Sequence, residues 1–275
     1  MSDANPEIGQ SIATGGYKTN YHDTGSGEPV LLLHGSGPGA TGWANWRGAI
    51  PVLKERFRVV APDLVGFGYT ERPAGMQYRI MDTWVEQILS FLDALKIDRT
   101  SLVGNSFGGA LSLHLAVRAP SRIKKMVLMG SSGVPMRLTP ELDALWGYTP
   151  SFENMKQVMK NMAYNQALVT DELVEMRLRA SLRPGTHEAF AALFPAPRAR
   201  WIEAQIVPQE KLRAIPHPTL IIHGRDDKIV PMEGSLKLLE AIDDSRLHVF
   251  GRCGHWTMIE HRDRFNALVS AFLSE

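Results

Sequence analysis

A serine between two glycines could serve as a nucleophile in this chain. Ser106 lies two residues after Gly104 and two before Gly108, in a turn between the apolar run Ser101–Val103 and a leucine-rich segment with helical spacing. Small residues at both positions allow a turn tight enough to expose the serine hydroxyl at its tip. The same turn leaves the backbone N–H of Phe107 at a helix N-terminus, where the partial positive charge suits an oxyanion. The pattern predicts a nucleophile elbow; the alternative is a glycine-rich connection without chemistry.

Partners for this serine are also present. A serine hydroxyl needs a general base, and the base needs a carboxylate that fixes its tautomer and stabilises its charged form. His255 lies in the loop Gly251–Trp256 after the last predicted strand. Asp226 and Asp227 follow the apolar run Leu220–Ile222. The chain order serine, aspartate, histidine resembles that of α/β-hydrolases, so we predict a catalytic triad in which either aspartate could be the acid.

Other polar residues are weaker candidates for chemistry. His114 lies too far along the helix after the elbow to reach the serine hydroxyl, so we expect it to pack or to face solvent. His223 and His261 are expected to be structural, and Asp63 is expected to stabilise a turn at a strand end. Cys253 has no elbow around it, which makes a thiol nucleophile a poor alternative.

A second glycine-rich loop, His34–Ala40, follows an apolar run and allows two interpretations. It matches the dinucleotide pattern G-x-G-x-x-A, with Asp63 as a distant ribose ligand. However, Pro38 removes a backbone donor and Thr41–Trp43 is a poor start for a helix, which argue against a phosphate cradle. In the other interpretation, the backbone N–H of Ser36 is the second donor of an oxyanion hole, which places this loop beside the elbow.

The segments around these motifs predict an α/β fold. Short continuous apolar runs, which are typical of strands buried on both faces, alternate with segments of helical spacing. These runs are Val30–Leu33, Val59–Ala61, Ser101–Val103, Met126–Met129 and Leu220–Ile222. An exposed antiparallel strand is predicted for Tyr17–Asp23. The pattern indicates a mostly parallel, doubly wound sheet whose functional loops lie at the carboxyl ends of its strands.

One region interrupts the alternation of strands and helices. From about 132 to 213 there is no convincing buried strand, but helical spacings recur at Phe152–Met162 and Leu173–Leu182. We predict a helical lid over residues 132–213, inserted into a core domain formed by residues 1–131 and 214–275. Such an insertion is the expected place for substrate selectivity.

Composition excludes several classes of function. The chain has 275 residues, 44% of them hydrophobic, and 30 basic against 29 acidic residues, so its formal charge of +1 favours neither nucleic acid nor an anionic membrane. No apolar run approaches the length of a membrane span. The single cysteine excludes an internal disulfide and a CxxC metal cage, and it fits a reducing compartment. We expect a cytoplasmic protein that needs no metal.

Together these motifs resemble the meta-cleavage-product hydrolases, which are α/β-hydrolases that break a carbon–carbon bond in ring-fission products of catechols. The similarity covers nearly the whole chain, and it is greatest to the 2-hydroxymuconate-semialdehyde hydrolase branch. The segments that carry it are 34–39, 104–109, 223–231 and 247–256, with 146–151 and 190–195 in the predicted lid.

The resemblance assigns roles to individual residues. It implies that Ser106 is the nucleophile, Asp227 rather than Asp226 the acid, and His255 the base. It also implies that Arg177 binds the carboxylate and enol end of the substrate from the lid. The remaining residues implied to line this polar pocket are Asn45, Asn105, Trp256, Gly35 and Gly37.

The resemblance further implies a reaction. A small-molecule dienoate would be hydrolysed at a carbon–carbon bond without a metal or an organic cofactor, by a homodimer or a higher homo-oligomer. A carboxylesterase on the same fold is the alternative. The sequence leaves open the substituent at the distal carbonyl, and whether the serine forms an acyl-enzyme or assists the attack of water.

Overall fold

In the computed structural model, which describes residues 5–275, eight strands form a single sheet in the order β1-β2-β4-β3-β5-β6-β7-β8. Strands β1 and β2 are antiparallel to their neighbours, and β3 to β8 are parallel. The strands are Gln10–Thr14 (β1), Tyr17–Thr24 (β2), Pro29–Leu33 (β3), Arg58–Pro62 (β4), Thr100–Asn105 (β5), Ile123–Met129 (β6), Thr219–Gly224 (β7) and Ser245–Phe250 (β8). The prediction of a mostly parallel α/β sheet is confirmed.

Thirteen α-helices lie within the described residues. They are Gly42–Trp46 (α1), Ile50–Leu53 (α2), Asp82–Ala94 (α3), Phe107–Arg118 (α4), Pro140–Trp146 (α5), Phe152–Met162 (α6), Asp171–Ser181 (α7), Thr186–Leu193 (α8), Ala199–Glu203 (α9), Gln209–Arg213 (α10), Met232–Ala241 (α11), Thr257–Glu260 (α12) and Arg262–Ser274 (α13). No helix in this part of the chain is long and apolar enough to cross a membrane.

The central strands are buried on both faces because side chains alternate between two hydrophobic layers. Leu31 and Leu33 of β3 belong to one cluster, which also contains Trp84 of α3 and the side chains of α4. Val30 and Leu32 of the same strand belong to the other, together with residues of α1, α2 and α13. Continuous apolar runs in the sequence therefore correspond to strands with helices on both sides.

The two strands at the amino-terminal edge of the sheet, β1 and β2, differ from the sequence prediction. The segment Tyr17–Asp23 is an antiparallel strand as expected, but all of its residues except Lys18 are buried or half-buried. The strands β1 and β4 pair with its two edges, and Phe91 of α3 packs on one face. Tyr21 is only 7% exposed and contacts Phe91 edge to face, with ring centroids 5.1 Å apart. The strand β1, which covers this edge, was not predicted.

The helices α5 to α10 all lie between β6 and β7 in the chain, and the described residues between these two strands contain no other strand. The helix α6 has the predicted bounds, and α7 begins two residues before the predicted position. The boundaries 132–213, and the idea that this insertion acts as a lid, remain predictions. The insertion contributes one wall of the cavity described below.

Candidate active site

Ser106 occupies the sharp turn between β5 and α4. Its backbone has φ 55° and ψ −114°, a conformation that is strained for a residue with a side chain. The two glycines are required by contact: a Cβ on Gly104 would lie 2.4 Å from the carbonyl oxygen of Gly108, and one on Gly108 would lie 2.2 Å from that of Leu33. The backbone N–H of Ser106 donates to Met129 on β6, at 2.9 Å, which ties the turn to the sheet. This geometry is the predicted elbow.

His255 and Asp227 meet at the same edge of the sheet. The Nδ1 atom of His255 donates to Oδ2 of Asp227 at 2.7 Å, and both side chains are buried. The other carboxylate oxygen accepts the backbone N–H groups of Ile229 and Val230, at 2.8 and 3.0 Å. Because Nδ1 carries the proton, Nε2 of His255 is left as an acceptor, which is the tautomer a general base needs.

The adjacent aspartate has a different environment. Oδ2 of Asp226 accepts the backbone N–H of Cys253 at 3.3 Å, and the backbone N–H of Asp226 donates to the Cys253 carbonyl at 2.8 Å. Asp226 therefore ties the acid loop to the histidine loop and does not contact His255. Of the two aspartates that the residue pattern left open, Asp227 is the one that bonds the histidine.

The environment of Asp227 keeps it ionised. Burial by itself raises the pKa of this carboxyl, but His255, as charge partner and hydrogen-bond donor, and His223 lower it, so the net pKa lies below the ordinary aspartate value. His223 is itself fully buried, with Nε2 3.6 Å from Oδ2 of Asp227, and burial lowers the pKa of its ring. The acid is thus an anion that can stabilise a protonated His255.

The loop after β3 lies directly beside the elbow. A Cβ on Gly35 would lie 3.0 Å from Oδ1 of Asn105 and 3.4 Å from Cβ of Ser106, so a larger residue here would press on the Asn105 amide. The hydroxyl of Ser36 accepts a hydrogen bond from the indole N–H of Trp146 in α5, at 3.0 Å. As the first residue of α4, Phe107 has a backbone N–H that no carbonyl of its own helix can accept. Of the two predicted oxyanion-hole residues, Phe107 thus directly follows Ser106, and Ser36 lines the same cavity as Ser106.

The interpretation of Thr41–Trp43 as a poor helix start is wrong. The helix α1 begins at Gly42, and the side chain of Thr41 caps it by accepting the backbone N–H of Ala44 at 2.9 Å. Threonine is a good N-cap residue, and this local signal was overlooked. The helix is only five residues long and its first turn is bonded to Asp63, whose Oδ1 accepts the Gly42 N–H at 2.7 Å.

A cavity of about 340 Å³ opens in front of Ser106, between the sheet edge and the inserted helices. Nine of the predicted site residues line it, and the other two, Asp227 and Phe107, do not. The nine are Gly35, Ser36, Gly37, Asn45, Asn105, Ser106, Arg177, His255 and Trp256. The cavity has the size and the mixture of apolar wall and few polar groups that are usual for small-molecule sites.

Arg177 is the cationic group that α7 contributes to this cavity. Its NH2 group donates to the carbonyl oxygen of Gly39, and NH1 lies 3.3 Å from Oε1 of Glu7. The side chain is only 16% exposed, and burial lowers the pKa of its guanidinium while Glu7 opposes that effect. Arg177 therefore lies inside the protein, where a guanidinium binds a carboxylate more strongly than at a solvated surface.

Asn45 and Asn105 contribute amide groups to the polar end of the cavity. The Nδ2 atom of Asn45 is buried without a hydrogen-bond partner among the described residues, and its Oδ1 lies 3.5 Å from the Gly35 nitrogen. The side chain of Asn105 makes one long bond, from Nδ2 to the Met129 carbonyl at 3.4 Å. Both amides are thus available to a polar ligand.

The residues that the sequence analysis treated as weaker candidates for chemistry have structural roles. Oδ2 of Asp63 accepts the backbone N–H of Tyr69 and the side-chain amide of Asn20, both at 2.8 Å, which confirms the expected turn-stabilising role, and burial raises its pKa to about 6. The ring of His114 bonds the Gln205 carbonyl at 3.0 Å. Burial raises the pKa of Cys253 to about 12, so its thiol is inert.

Two groups of site residues were not predicted. The apolar wall comes mainly from the insertion and from the residues after His255: Leu145, Met155, Val158, Met159, Met162, Leu168, Leu173, Met258 and Ile259. The spacing of the four α6 residues, at 155, 158, 159 and 162, is a helical stripe that signals a buried face but not its ligand. Glu7 gave no signal, because its partner is 170 positions away in the chain.

A family model described as "alpha/beta hydrolase fold" matches residues 28–262. The chain is 54% identical over 274 residues to a 2-hydroxy-6-oxo-2,4-heptadienoate hydrolase of Pseudomonas putida, covering 100% of this chain and 99% of the relative. It is 53% identical over 270 residues to a 2-hydroxymuconate semialdehyde hydrolase of Pseudomonas sp. strain CF600, covering 98% and 95%. A solved meta-cleavage product hydrolase of Pseudomonas fluorescens IP01, a serine-to-alanine variant complexed with acetates, superposes with a TM-score of 0.97 at 52% identity, covering 98% and 99%.

Proposed function

Because the chain belongs to the meta-cleavage-product hydrolases of the α/β-hydrolase family, we propose that it hydrolyses a carbon–carbon bond in 2-hydroxy-6-oxo-dienoates. The substrates are 2-hydroxymuconate semialdehyde or 2-hydroxy-6-oxohepta-2,4-dienoate, which arise when an aromatic ring is opened. The observation that carries this function is that Ser106 and Arg177 line one cavity. A dienoate has a carboxylate for the arginine and a distal carbonyl for the serine.

The proposed reaction begins with tautomerisation. The carboxylate of the substrate pairs with Arg177, and Asn45 and Asn105 donate to the oxygens at the same end. The dienol loses its hydroxyl proton and gains a proton at carbon 5, which gives a ketone at carbon 2. His255, which lines the same cavity, is the proposed base for this step, and the ketone formed is the electron sink that the next step needs.

Hydrolysis follows at the distal carbonyl. Ser106, or a water molecule activated by His255, adds to carbon 6, and Asp227 stabilises the imidazolium that forms. The resulting oxyanion is placed to accept the backbone N–H groups of Phe107 and Ser36. The bond between carbons 5 and 6 then breaks, its electrons pass to the carbon 2 ketone, and water supplies the hydroxyl of the released acid. The products are 2-hydroxypenta-2,4-dienoate and formate or acetate.

This chemistry needs neither a metal nor an organic cofactor. Carbon–carbon cleavage leaves a carbanion, and the conjugated keto acid of the substrate itself delocalises that charge. The protein has to bind and orient the substrate and stabilise an oxyanion. In this proposal, the Asp227–His255 pair, the buried guanidinium and the free backbone N–H groups provide those functions.

We propose hydrogen or methyl as the group beyond the distal carbonyl. Support comes from the names of the two curated relatives, which specify an aldehyde and a methyl ketone. The acetates bound to the solved relative are also the acid that a methyl ketone releases. The apolar wall around Met155, Met159 and Met162 would contact this group, although a single methylene changes binding by only about 1–3 kcal/mol.

A panel of coloured substrates tests the function. The purified protein is mixed with yellow 2-hydroxymuconate semialdehyde and with its methyl-ketone and phenyl-ketone analogues, and the loss of dienolate absorbance is followed. We expect rapid bleaching, fastest for the aldehyde or the methyl ketone. If only the phenyl ketone bleaches, the acyl-group assignment is wrong. If none bleaches while p-nitrophenyl acetate is hydrolysed, the protein is a carboxylesterase.

Replacing Arg177 should lower activity on dienoates but not on neutral esters. The variant Arg177→Ala is expected to lower kcat/KM on the semialdehyde by about 10- to 100-fold. A loss of this size corresponds to the free energy that a hydrogen-bonded ion pair contributes to binding. Hydrolysis of p-nitrophenyl acetate, which has no carboxylate, should stay within about threefold of wild type.

The control for this prediction is Arg179→Ala, which removes an exposed arginine two residues further along α7. It should change neither activity. Equal losses of Arg177→Ala on both substrates would mean that the arginine supports the fold and does not recognise the carboxylate.

The compartment and the assembly of the protein are also proposals. The cytoplasm is proposed because the one cysteine is a free thiol and the substrate is an internal metabolite of aromatic degradation. A homodimer or a higher homo-oligomer is proposed from the family resemblance. Sedimentation of the purified protein would measure the assembly directly.

A further inference from the structure

The residues Asn5–Gly9, which we term the strap, are anchored to the sheet. The side-chain amide of Asn20 on β2 donates to the Glu7 carbonyl at 3.0 Å, and its oxygen accepts the Gly9 N–H at 2.9 Å. The contact is close, since a Cβ on Gly9 would lie 2.2 Å from the carbonyl oxygen of Tyr21. The backbone of Glu7 is therefore fixed against β2 of the sheet, independently of its side chain.

The side chain of Glu7 points away from this anchor to the inserted helix α7. Its Oε1 lies 3.3 Å from NH1 of Arg177, and the side chains of the pair are 13% and 16% exposed. The other oxygen, Oε2, is buried without a hydrogen-bond partner within residues 5–275. Burying a carboxylate with so few hydrogen-bond partners destabilises the fold, because the lost hydration is not replaced. The ion pair with Arg177 is therefore the contact that explains the position of the Glu7 side chain.

Arg177 is thereby held from two sides. The carbonyl of Gly39, in the loop that also carries Ser36, accepts from NH2, and Glu7 binds NH1. A guanidinium has five N–H donors, so these two contacts leave others for a ligand in the cavity that Arg177 lines.

The charges around Arg177 indicate what Glu7 contributes to this arrangement. Arg47 and Arg183 are close enough for their positive charges to disfavour a third charged guanidinium, and Glu7 is the acidic residue that opposes them. Without a carboxylate at this position, we expect the buried guanidinium, which lies beside two like charges, to turn towards water. The side chain would then have to be brought back each time a substrate bound.

We propose that Glu7 is a positioning residue for recognition of the substrate carboxylate, acting through Arg177. The proposal rests on the proposed function, since it assigns a role within the same site. Glu7 neither touches the reacting atoms nor contributes to the chemistry of Ser106. Its loss should therefore weaken dienoate binding while the hydrolytic machinery remains intact.

The test is a double-mutant cycle. Glu7→Gln, Arg177→Ala and the double variant are assayed on 2-hydroxymuconate semialdehyde and on p-nitrophenyl acetate. We expect Glu7→Gln to raise KM for the semialdehyde about tenfold with little change in kcat, and to leave ester hydrolysis within about twofold. In the Arg177→Ala background, the same substitution should have no further effect, because the two residues act as one unit.

Two further variants sharpen the result. Glu175→Gln removes the same charge from an exposed position on α7 and should behave as wild type. Glu7→Asp keeps the charge on a side chain one methylene shorter and should give an intermediate KM. Equal losses on the dienoate and the ester in both Glu7 variants, a KM unchanged or lowered in Glu7→Gln, or an additive loss in the Arg177→Ala background would each overturn the proposal.

A binding measurement separates this proposal from the proposed function. Sorbate has the dienoate carboxylate but no distal carbonyl, so calorimetric titration reports carboxylate recognition without turnover. We expect wild type to bind sorbate, and Glu7→Gln to bind it about tenfold more weakly. If that pattern holds while no dienoate is bleached, the proposed function fails and the role of Glu7 stands. Wild-type protein that does not bind sorbate, or equal affinity in wild type and Glu7→Gln, contradicts the role of Glu7.

Discussion

The variant Ser106→Ala is expected to lower kcat on 2-hydroxymuconate semialdehyde by a factor on the order of 10⁴ to 10⁶. The elbow holds the Ser106 hydroxyl at the tip of a strained turn, and alanine keeps the turn while removing the hydroxyl that would attack the carbonyl or assist the attacking water. Substrate binding should persist, because Arg177 and the amides of the cavity are untouched. Stopped-flow absorbance would show formation of a bound dienoate or its keto form without release of the acid.

The matched control is Ser112→Ala on the same helix. Its hydroxyl donates to the Gly108 carbonyl at 2.8 Å within α4 and does not line the cavity. Turnover by this variant should stay within about threefold of wild type. A Ser106→Ala variant that retains turnover would show that the serine is not required, and the account of the reaction would then fail.

Replacing the acid should have the next largest effect. Asp227→Asn is expected to lower kcat by a factor on the order of 10⁴, because an amide nitrogen in the place of Oδ2 forces Nδ1 of His255 to accept and moves its proton to Nε2. The histidine could then no longer take a proton from Ser106. Steady-state kinetics on the semialdehyde and on p-nitrophenyl acetate should show the same loss, since both reactions need the base.

The neighbouring aspartate gives an unusually close control. Asp226→Asn changes the adjacent side chain, which bonds the Cys253 backbone and not the histidine. We expect a small loss of stability and activity within about threefold of wild type. If Asp226→Asn were the more damaging of the two substitutions, the assignment of the acid to Asp227 would be wrong.

The sequence predicts those parts of the fold that depend on local pattern. Strands buried on both faces appear as continuous apolar runs, so the segments around Val30–Leu33 and Leu220–Ile222 were identified without knowledge of their partners. The elbow was equally visible, because its requirement for small residues at 104 and 108 is a property of the turn itself. Each of these signals lies within about ten residues of chain.

Features that depend on distant contacts could not be predicted in this way. Burial of Tyr21 depends on the pairing of β2 with β4 and on packing against Phe91, which its own alternation does not reveal. The residue pattern left Asp226 and Asp227 equivalent, because the choice depends on which side chain faces His255 across a turn. Glu7 lies in a polar segment with no motif, and only the folded chain brings it to Arg177.

The most direct test of the central claim is to identify the products of one turnover in isotopically labelled water. The enzyme is mixed with 2-hydroxy-6-oxohepta-2,4-dienoate in H₂¹⁸O, and acetate and the dienoate product are measured by mass spectrometry. Hydrolysis of the carbon–carbon bond predicts equimolar acetate and 2-hydroxypenta-2,4-dienoate, with ¹⁸O in the acetate. Loss of colour without acetate, or no reaction while aryl esters are hydrolysed, would contradict it.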